Sequence, residues 1–382
     1  MVVYLDCAAT SPIDPRVSKE VMKYIDHEFG NAGSRSHEFG NRAKSAVEKA
    51  RSQVAKIVGA NRGEIIFTSG ATESNNLAVL GLAEYGLKIR KTHIISTKIE
   101  HKSVLESLGV LADRGFEVTL LDPNAGGWID PKSVVEAIKG NTLLISVMQV
   151  NNETGVIQPI QEIADLLKHH WVYFHVDAAQ GFGKELKELT NKRIDMISVS
   201  GHKIYGPKGI GALMIRRRDG NRPPLSPLMY GGGQELGLRP GTLPVPLIVG
   251  LGKAAELSIK EVTERNKQCL KFRKTVLTRL KVLNPSFNGD LERTVPQVIN
   301  ISFPGVLADE AMEALNGIVA ISNGSACTSA SDSCSHVLSS MGIKENQSLE
   351  AVRLSWCHLT ENPDWDSFIK VIEELRREVK KL

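Results

Sequence analysis

Short apolar runs alternate with helix-length amphipathic stretches through the first two-thirds of the chain. The runs Glu64–Thr68, His93–Thr97, Glu117–Leu121, Leu143–Met148, Val172–Val176, Asp195–Ser200 and Gly211–Arg216 read as strands. Helical spacing of apolar residues lies between most of them, as at Ser103–Arg114, Pro131–Lys139 and Ile160–His169. Strand–helix alternation on this scale predicts an α/β domain around a largely parallel sheet covered on both faces. Ligands of such sheets sit at the carboxyl ends of the strands, and the unusual residues of this chain cluster there. The pattern changes after Thr242-Leu243-Pro244-Val245-Pro246. A long charged helical stretch from Leu247 to about Val282 is predicted to bridge to a smaller α+β unit. That unit has strands at Gln297–Phe303 and Ala351–Trp356, a small-residue loop at Ser322–Ser333 and a closing helix at Trp365–Lys380.

Composition narrows the class without choosing a function. The 382 residues leave room for two domains, and 42% hydrophobic with 24% charged content is ordinary for a globular protein. No apolar run approaches the ~20 residues that span a bilayer, and Asp6 comes too early for a signal peptide. The expectation is a cytoplasmic protein that does not engage a membrane. Five cysteines, Cys7, Cys269, Cys327, Cys334 and Cys357, are scattered with no CxxC pair, so neither a metal site nor a disulfide framework is expected. A formal charge of +4 is small for this length, and Arg216-Arg217-Arg218 reads as a solvated strand end. Direct nucleic-acid binding is not expected.

Candidate chemistry centres on Ser200-Gly201-His202-Lys203, where a buried-looking strand ends and a lysine stands at the edge of a glycine-rich turn. A lone lysine is usually a solvated surface group. Held beside small hydroxyl and imidazole groups, it suits Schiff-base chemistry with a phosphate-bearing aldehyde, pyridoxal phosphate. Four other segments supply parts for that cofactor. Thr68-Ser69-Gly70-Ala71-Thr72 turns a strand into a helix, an anion cradle if not merely a cap. Asp177 ends an apolar strand, where a carboxylate needs a partner such as a pyridinium nitrogen, although capping a helix is a rival reading. Gln180 could donate to the cofactor's phenolic oxygen. His101, after the strand His93–Thr97, could stack on a ring and shuttle protons, while Asn152 offers an amide at another strand end or simple turn chemistry. Cys327, in Ser322–Ser331, is a thiol in a loop of small residues, a nucleophile candidate once a cofactor is present. Arg353, a charge inside an apolar strand, is explained equally by capture of a substrate carboxylate or by an internal salt bridge.

The segments TSGATESNN, IEHKSV, HVDAAQ, SGHKIYGPKGIGAL, GGGQE, RPGT and GSACTSAS, in this order along the chain, resemble cysteine desulfurases of the NifS/IscS type, within the class V aminotransferase superfamily. The resemblance starts at YLDCAATSP and covers nearly the whole chain. It implies the pyridoxal-phosphate-dependent transferase fold, with a seven-stranded large domain at 15–254 and a small domain from 1–14 and 255–382 carrying the cysteine loop. It implies a homodimer that converts L-cysteine to L-alanine, holds the sulfur as a cysteine persulfide and passes it to an acceptor protein. Residue by residue, Lys203 would be the Schiff-base lysine, Cys327 the persulfide carrier and His101 the stacked imidazole that moves protons. Ala71, Thr72, Ser200 and His202 would hold the phosphate, Asp177 the ring nitrogen and Gln180 the phenolic oxygen. Asn152 and Arg353 would face the substrate, Asn152 also touching the cofactor, and Thr242 would reach the phosphate in the partner subunit.

The chain departs from the family pattern in three places. It ends soon after the helix Trp365–Lys380, without the extension by which housekeeping members dock an iron–sulfur scaffold. Arg239-Pro240-Gly241-Thr242 replaces the expected Arg-Ser-Gly-Thr, and Cys334 adds a thiol seven residues beyond Cys327. The first departure favours a dedicated sulfur donor, resembling the DndA-like desulfurases of DNA phosphorothioate modification. The alternatives are general sulfur supply for iron–sulfur clusters or tRNA thiolation, or a selenocysteine lyase or aminotransferase on the same fold.

Overall fold

The computed structural model describes residues 2–324 and 334–379. In chain order its strands are β1 (Val3–Tyr4), β2 (Ile65–Thr68), β3 (His93–Thr97), β4 (Glu117–Leu121), β5 (Thr142–Met148), β6 (Tyr173–Asp177), β7 (Met196–Ser200), β8 (Gly211–Ile215), β9 (Ser286–Phe287), β10 (Val298–Ser302), β11 (Val319–Ala320) and β12 (Ala351–Ser355). The helices are α1 (Pro15–Asp26), α2 (Glu38–Ile57), α3 (Ala71–Leu80), α4 (Ala83–Lys88), α5 (Lys102–Asp113), α6 (Pro131–Glu136), α7 (Ile160–Leu166), α8 (Val245–Leu280), α9 (Ala308–Ala314), α10 (His336–Ser340), α11 (Glu345–Leu349) and α12 (Trp365–Val379).

The seven predicted strands form one sheet in the order β2-β8-β7-β6-β5-β3-β4. Strands β3, β5, β7 and β8 are buried along their whole length, as a sheet covered on both faces requires, whereas β4 at one edge is part exposed. The sheet is parallel except at β8, which runs antiparallel to both β7 and β2. This reversal follows from the Ile204–Ile210 turn, too short to carry the chain back across the sheet for a parallel pairing. The other edge, β2, is covered rather than left open. The Glu235 carboxylate accepts from the Phe67 N–H at 2.7 Å, and Arg51 donates to the Ile65 carbonyl at 2.7 Å, so the outward backbone groups of that edge are paired.

One apolar core packs α1, α2 and the first half of α8 against one sheet face; a second packs α3 and α5 against the other. Local signals start these helices: Asp14 caps α1 by accepting from the Arg16 N–H at 2.9 Å with Pro15 following, and Asp130 does the same ahead of Pro131. The second half of α8 belongs to a third core with β10, β12, α9 and α12. Leu5 joins this core, because β1 pairs in parallel with β11. The amino-terminal residues thus leave the small sheet and cross to the large one.

Candidate active site

The strand order sets the site. Neighbours β7, β6, β5 and β3 are parallel, so their carboxyl ends lie in a row, and each delivers one predicted residue: Lys203 after β7, Asp177 at the end of β6, Asn152 after β5 and His101 after β3. The antiparallel β8 brings Gly211 opposite both Ser200 and Thr68, so the turn into α3 lies at the same end. An ideal Cβ on Gly211 would stand 2.4 Å from the Val199 carbonyl oxygen and 2.6 Å from the Gly70 Cα. Glycine there lets the Gly70 turn close on β7, and a Cβ on Gly70 would lie 3.7 Å from the Ser200 Oγ. The first-turn amides of Ala71 and Thr72 have no acceptor within α3. Together with Ser200 they form a concave set of donors at a helix N-terminus, suited to a phosphate.

Asp177 is 4% exposed. Its Oδ2 accepts from Asn75 Nδ2 at 2.7 Å and its Oδ1 from the Ala179 N–H at 2.9 Å. Among the described residues no cation pairs with it, so this buried carboxylate lacks the ionic partner that burial calls for. A protonated pyridine nitrogen supplies that partner, and the residues present fit pyridoxal phosphate on this ground. The line of bonds continues: Asn75 Nδ2 also donates to Ser103 Oγ at 2.8 Å, and Ser103 Oγ meets His101 Nδ1 at 2.8 Å. His101 caps α5, accepting from the Ser103 N–H, so its ring is fixed by the start of a helix.

A second group of contacts comes from the crossing amino-terminal segment. Lys203 Nζ donates to the carbonyls of Ala8 and Ala9 at 2.7 and 2.6 Å, and Gln180 Nε2 donates to the same Ala8 carbonyl at 2.8 Å. His202 Nδ1 lies 3.1 Å from the Thr10 hydroxyl. Burial, with the charges of Lys203, Lys208 and Lys184, lowers the His202 pKa to about 4, leaving a neutral imidazole at neutral pH. Arg353 is 3% exposed, and the internal salt bridge is the reading the geometry shows. Its Nη2 pairs with Asp6 at 2.6 Å and donates to Ser322 Oγ at 2.9 Å, while Nη1 donates to the Asn152 carbonyl at 2.9 Å. The salt bridge is therefore real, and Arg353 Nε remains buried without a partner among the described residues.

A cavity of about 410 Å³ opens beside His101 and Asn152 and is lined also by Lys98, Glu153, Cys334 and His336. Thr242 is exposed in the loop where Arg239 pairs with Glu73 of α3. Cys327 lies outside the described residues. Sequence reasoning missed Asn75, Ser103, Asp6 and the Ala8 and Ala9 carbonyls. Asn75 stood inside the TESNN segment, but nothing in its spacing pointed to Asp177.

The chain matches the family model described as aminotransferase class-V over residues 3–368. It is 47% identical over 381 residues to a mitochondrial cysteine desulfurase of Drosophila melanogaster, covering 98% of this chain and 81% of the fly protein. Among solved structures, DndA from Streptomyces lividans superposes with a TM-score of 0.81 at 49% identity, covering 93% of this chain and 99% of that one. SspA, solved in complex with cysteine, gives a TM-score of 0.82 at 39% identity over 93% of this chain and 98% of that one.

Proposed function

Because the chain belongs to the class-V aminotransferases and is a pyridoxal-phosphate-dependent cysteine desulfurase, we propose that it supplies sulfur for DNA phosphorothioate modification through an acceptor protein. The observation that carries this pathway is the 49% identity to DndA across 93% of the chain. A second reading, general sulfur supply for iron–sulfur clusters, is favoured by the 47% identity to the mitochondrial enzyme.

When bound, pyridoxal phosphate supplies an aldehyde that bonds amines and a ring that draws electrons from the substrate's α-carbon. In this chain Asp177, steadied by Asn75, keeps a proton on the ring nitrogen. Ala71, Thr72, Ser200 and His202 hold the phosphate, with Thr242 of a second copy completing the set in a homodimer. His101 would stack on the ring and move protons, and Gln180 would reach the phenolic oxygen with the N–H not given to the Ala8 carbonyl. Lys203 holds the aldehyde at rest and takes the α-proton of cysteine. The Ala8 and Ala9 carbonyls then stabilise its ammonium, the form that oxygen acceptors favour. Arg353 offers Nε to the substrate carboxylate, its far edge kept in place by Asp6, and Asn152 borders the same space. Cys327 takes the substrate sulfur as a persulfide, leaves alanine and carries the sulfur to the acceptor. We assign residues 15–254 to the large domain and 1–14 with 255–382 to the small one; the separate core around β10 and β12 supports this division. The four described cysteines, Cys7, Cys269, Cys334 and Cys357, are free thiols, which supports a reducing compartment such as the cytosol.

Deleting the gene and assaying DNA phosphorothioates beside iron–sulfur enzymes tests the pathway. Loss of DNA sulfur with intact iron–sulfur enzymes is expected; the opposite pattern would sink the specialised reading. Cys327→Ser protein should retain its cofactor spectrum and lose persulfide formation, and a Cys334→Ser protein should keep both.

A further inference from the structure

Below the amino-terminal segment, apart from the residues given roles above, lies a second group of thiols. Cys7, Cys357 and Tyr205 pack as a small cluster of their own, with Cys7 5% and Cys357 3% exposed. Backbone pairing brings the two cysteines together. Asp6 bridges Ser355 in parallel, and the Cys7 N–H donates to the Ser355 carbonyl at 3.0 Å, so Cys7 lies beside the residues that follow β12. Their thiols interact directly, each acting on the other's ionisation.

The surroundings of the two sulfurs differ. Thr360 Oγ1 donates to Cys357 Sγ at 3.5 Å and accepts from the Cys357 N–H at 2.9 Å. Lys184, a part-buried amine, lies within electrostatic reach of Cys7, Cys269 and Cys357. The bond from the Cys7 thiol holds Cys357 below the ordinary thiol range against the effect of burial, and Thr360, the Leu359 N–H and Lys184 add to it. Cys7 moves the opposite way, raised by Cys357 and by burial. Two cysteines buried only for packing would both be raised. Thr360 Oγ1 donates to the Cys357 sulfur and the Leu359 N–H acts on it too, which favours Cys357 as the attacking thiol and Cys7, packed beside it, as the resolving one.

We propose that Cys7 and Cys357 are an oxidisable dithiol that a small hydroperoxide closes to a disulfide. The Cys357 thiolate attacks one peroxide oxygen; the O–O bond breaks, and the departing oxygen takes a proton and leaves as alcohol, or as water from hydrogen peroxide. Cys357 is then a sulfenic acid. The Cys7 sulfur attacks it, the S–O bond breaks, and hydroxide leaves with the Cys7 proton as water. Two thiols lose two electrons, and one hydroperoxide is reduced to one alcohol and one water. The disulfide ties the segment before Ala8, whose carbonyl serves Lys203 and Gln180, to the end of the strand that carries Arg353. Because bonded sulfurs approach to about 2.05 Å, closer than thiols in contact, that segment must shift on oxidation.

The test is a thiol map of the cofactor-loaded protein. It is exposed to hydrogen peroxide while folded, unfolded in N-ethylmaleimide, digested without reductant and read by mass spectrometry. Expected is loss of the two alkylatable thiols at 7 and 357, recovered as one cross-linked peptide pair that dithiothreitol separates. In Cys7→Ser protein, Cys357 should instead be captured by dimedone as a sulfenic acid. Full alkylation of both cysteines while Cys327 or Cys334 is oxidised overturns the proposal, as does a disulfide from Cys357 to Cys269. The wild-type map decides the matter even if the variant fails to fold, and being a mass readout it does not depend on the assigned pathway.

Discussion

Glu100→Gln probes the floor of the site, where a carboxyl is sealed away from water. Glu100 Oε1 accepts from Thr97 Oγ1 at 2.7 Å and from the Met148 N–H at 2.9 Å, while Oε2 is buried with no partner among the described residues. Burial pushes this carboxyl up to about 8; the bonds from Thr97 and Met148 oppose the rise and the Asp177 charge adds to it. The ordinary value is 4.5, so between 4.5 and about 8 the folded state holds a proton that the unfolded chain releases. The stability tied to this group is thus fully present below pH 4.5 and is lost as pH rises towards 8. At ~1.4 kcal/mol per unit the loss is about 3 kcal/mol at pH 7 and about 5 kcal/mol above pH 8. Glutamine keeps the acceptor and cannot ionise, but it places an N–H₂ where Oε2 had no partner, at a cost of ~1–3 kcal/mol. The variant should therefore be the less stable protein at pH 5, overtake the wild type near neutrality and exceed it at pH 8.5. Urea unfolding of both proteins across this range measures it, and the difference between them cancels the other titrating groups. A difference constant to within ~1 kcal/mol would mean that Glu100 is ionised throughout, contrary to the reasoning from its burial.

Lys203→Ala should abolish alanine formation from cysteine and remove the visible absorbance of the bound cofactor; measurable turnover would overturn the cofactor assignment. Arg353→Gln should lower kcat/KM for cysteine by about 10- to 100-fold, chiefly through KM, the worth of a charge-assisted hydrogen bond of ~1.5–3 kcal/mol. An unchanged KM would leave Arg353 with only its structural bonds to Asp6, Ser322 and the Asn152 carbonyl. Gly211→Ala forces a methyl against the Val199 carbonyl and the Gly70 turn. It should cost ~1–3 kcal/mol and weaken cofactor retention on dilution; an unaltered melting temperature would show that the turn is not fixed by this contact.

The sequence alone determined the elements. Leu143–Met148 was expected and Thr142–Met148 is found; the long helix expected from Leu247 to about Val282 is α8, Val245–Leu280. Apolar runs and helical spacing are properties of consecutive residues, so they survive without tertiary knowledge. The residue types that mark the site were legible for a similar reason: a lysine, an acid and a histidine at strand ends are rare enough in kind to stand out. The tertiary structure decided what holds them. Lys203 rests on two carbonyls about 195 positions earlier in the chain, and a backbone carbonyl carries no sign of its role in the sequence. Asp177 is fixed by Asn75 and Arg353 by Asp6, pairs that only the sheet order and the return of the amino terminus bring together. The thiols of Cys7 and Cys357 meet on the same terms, because hydrogen bonding between β12 and the first residues closes a gap of 350 positions that no local pattern spans.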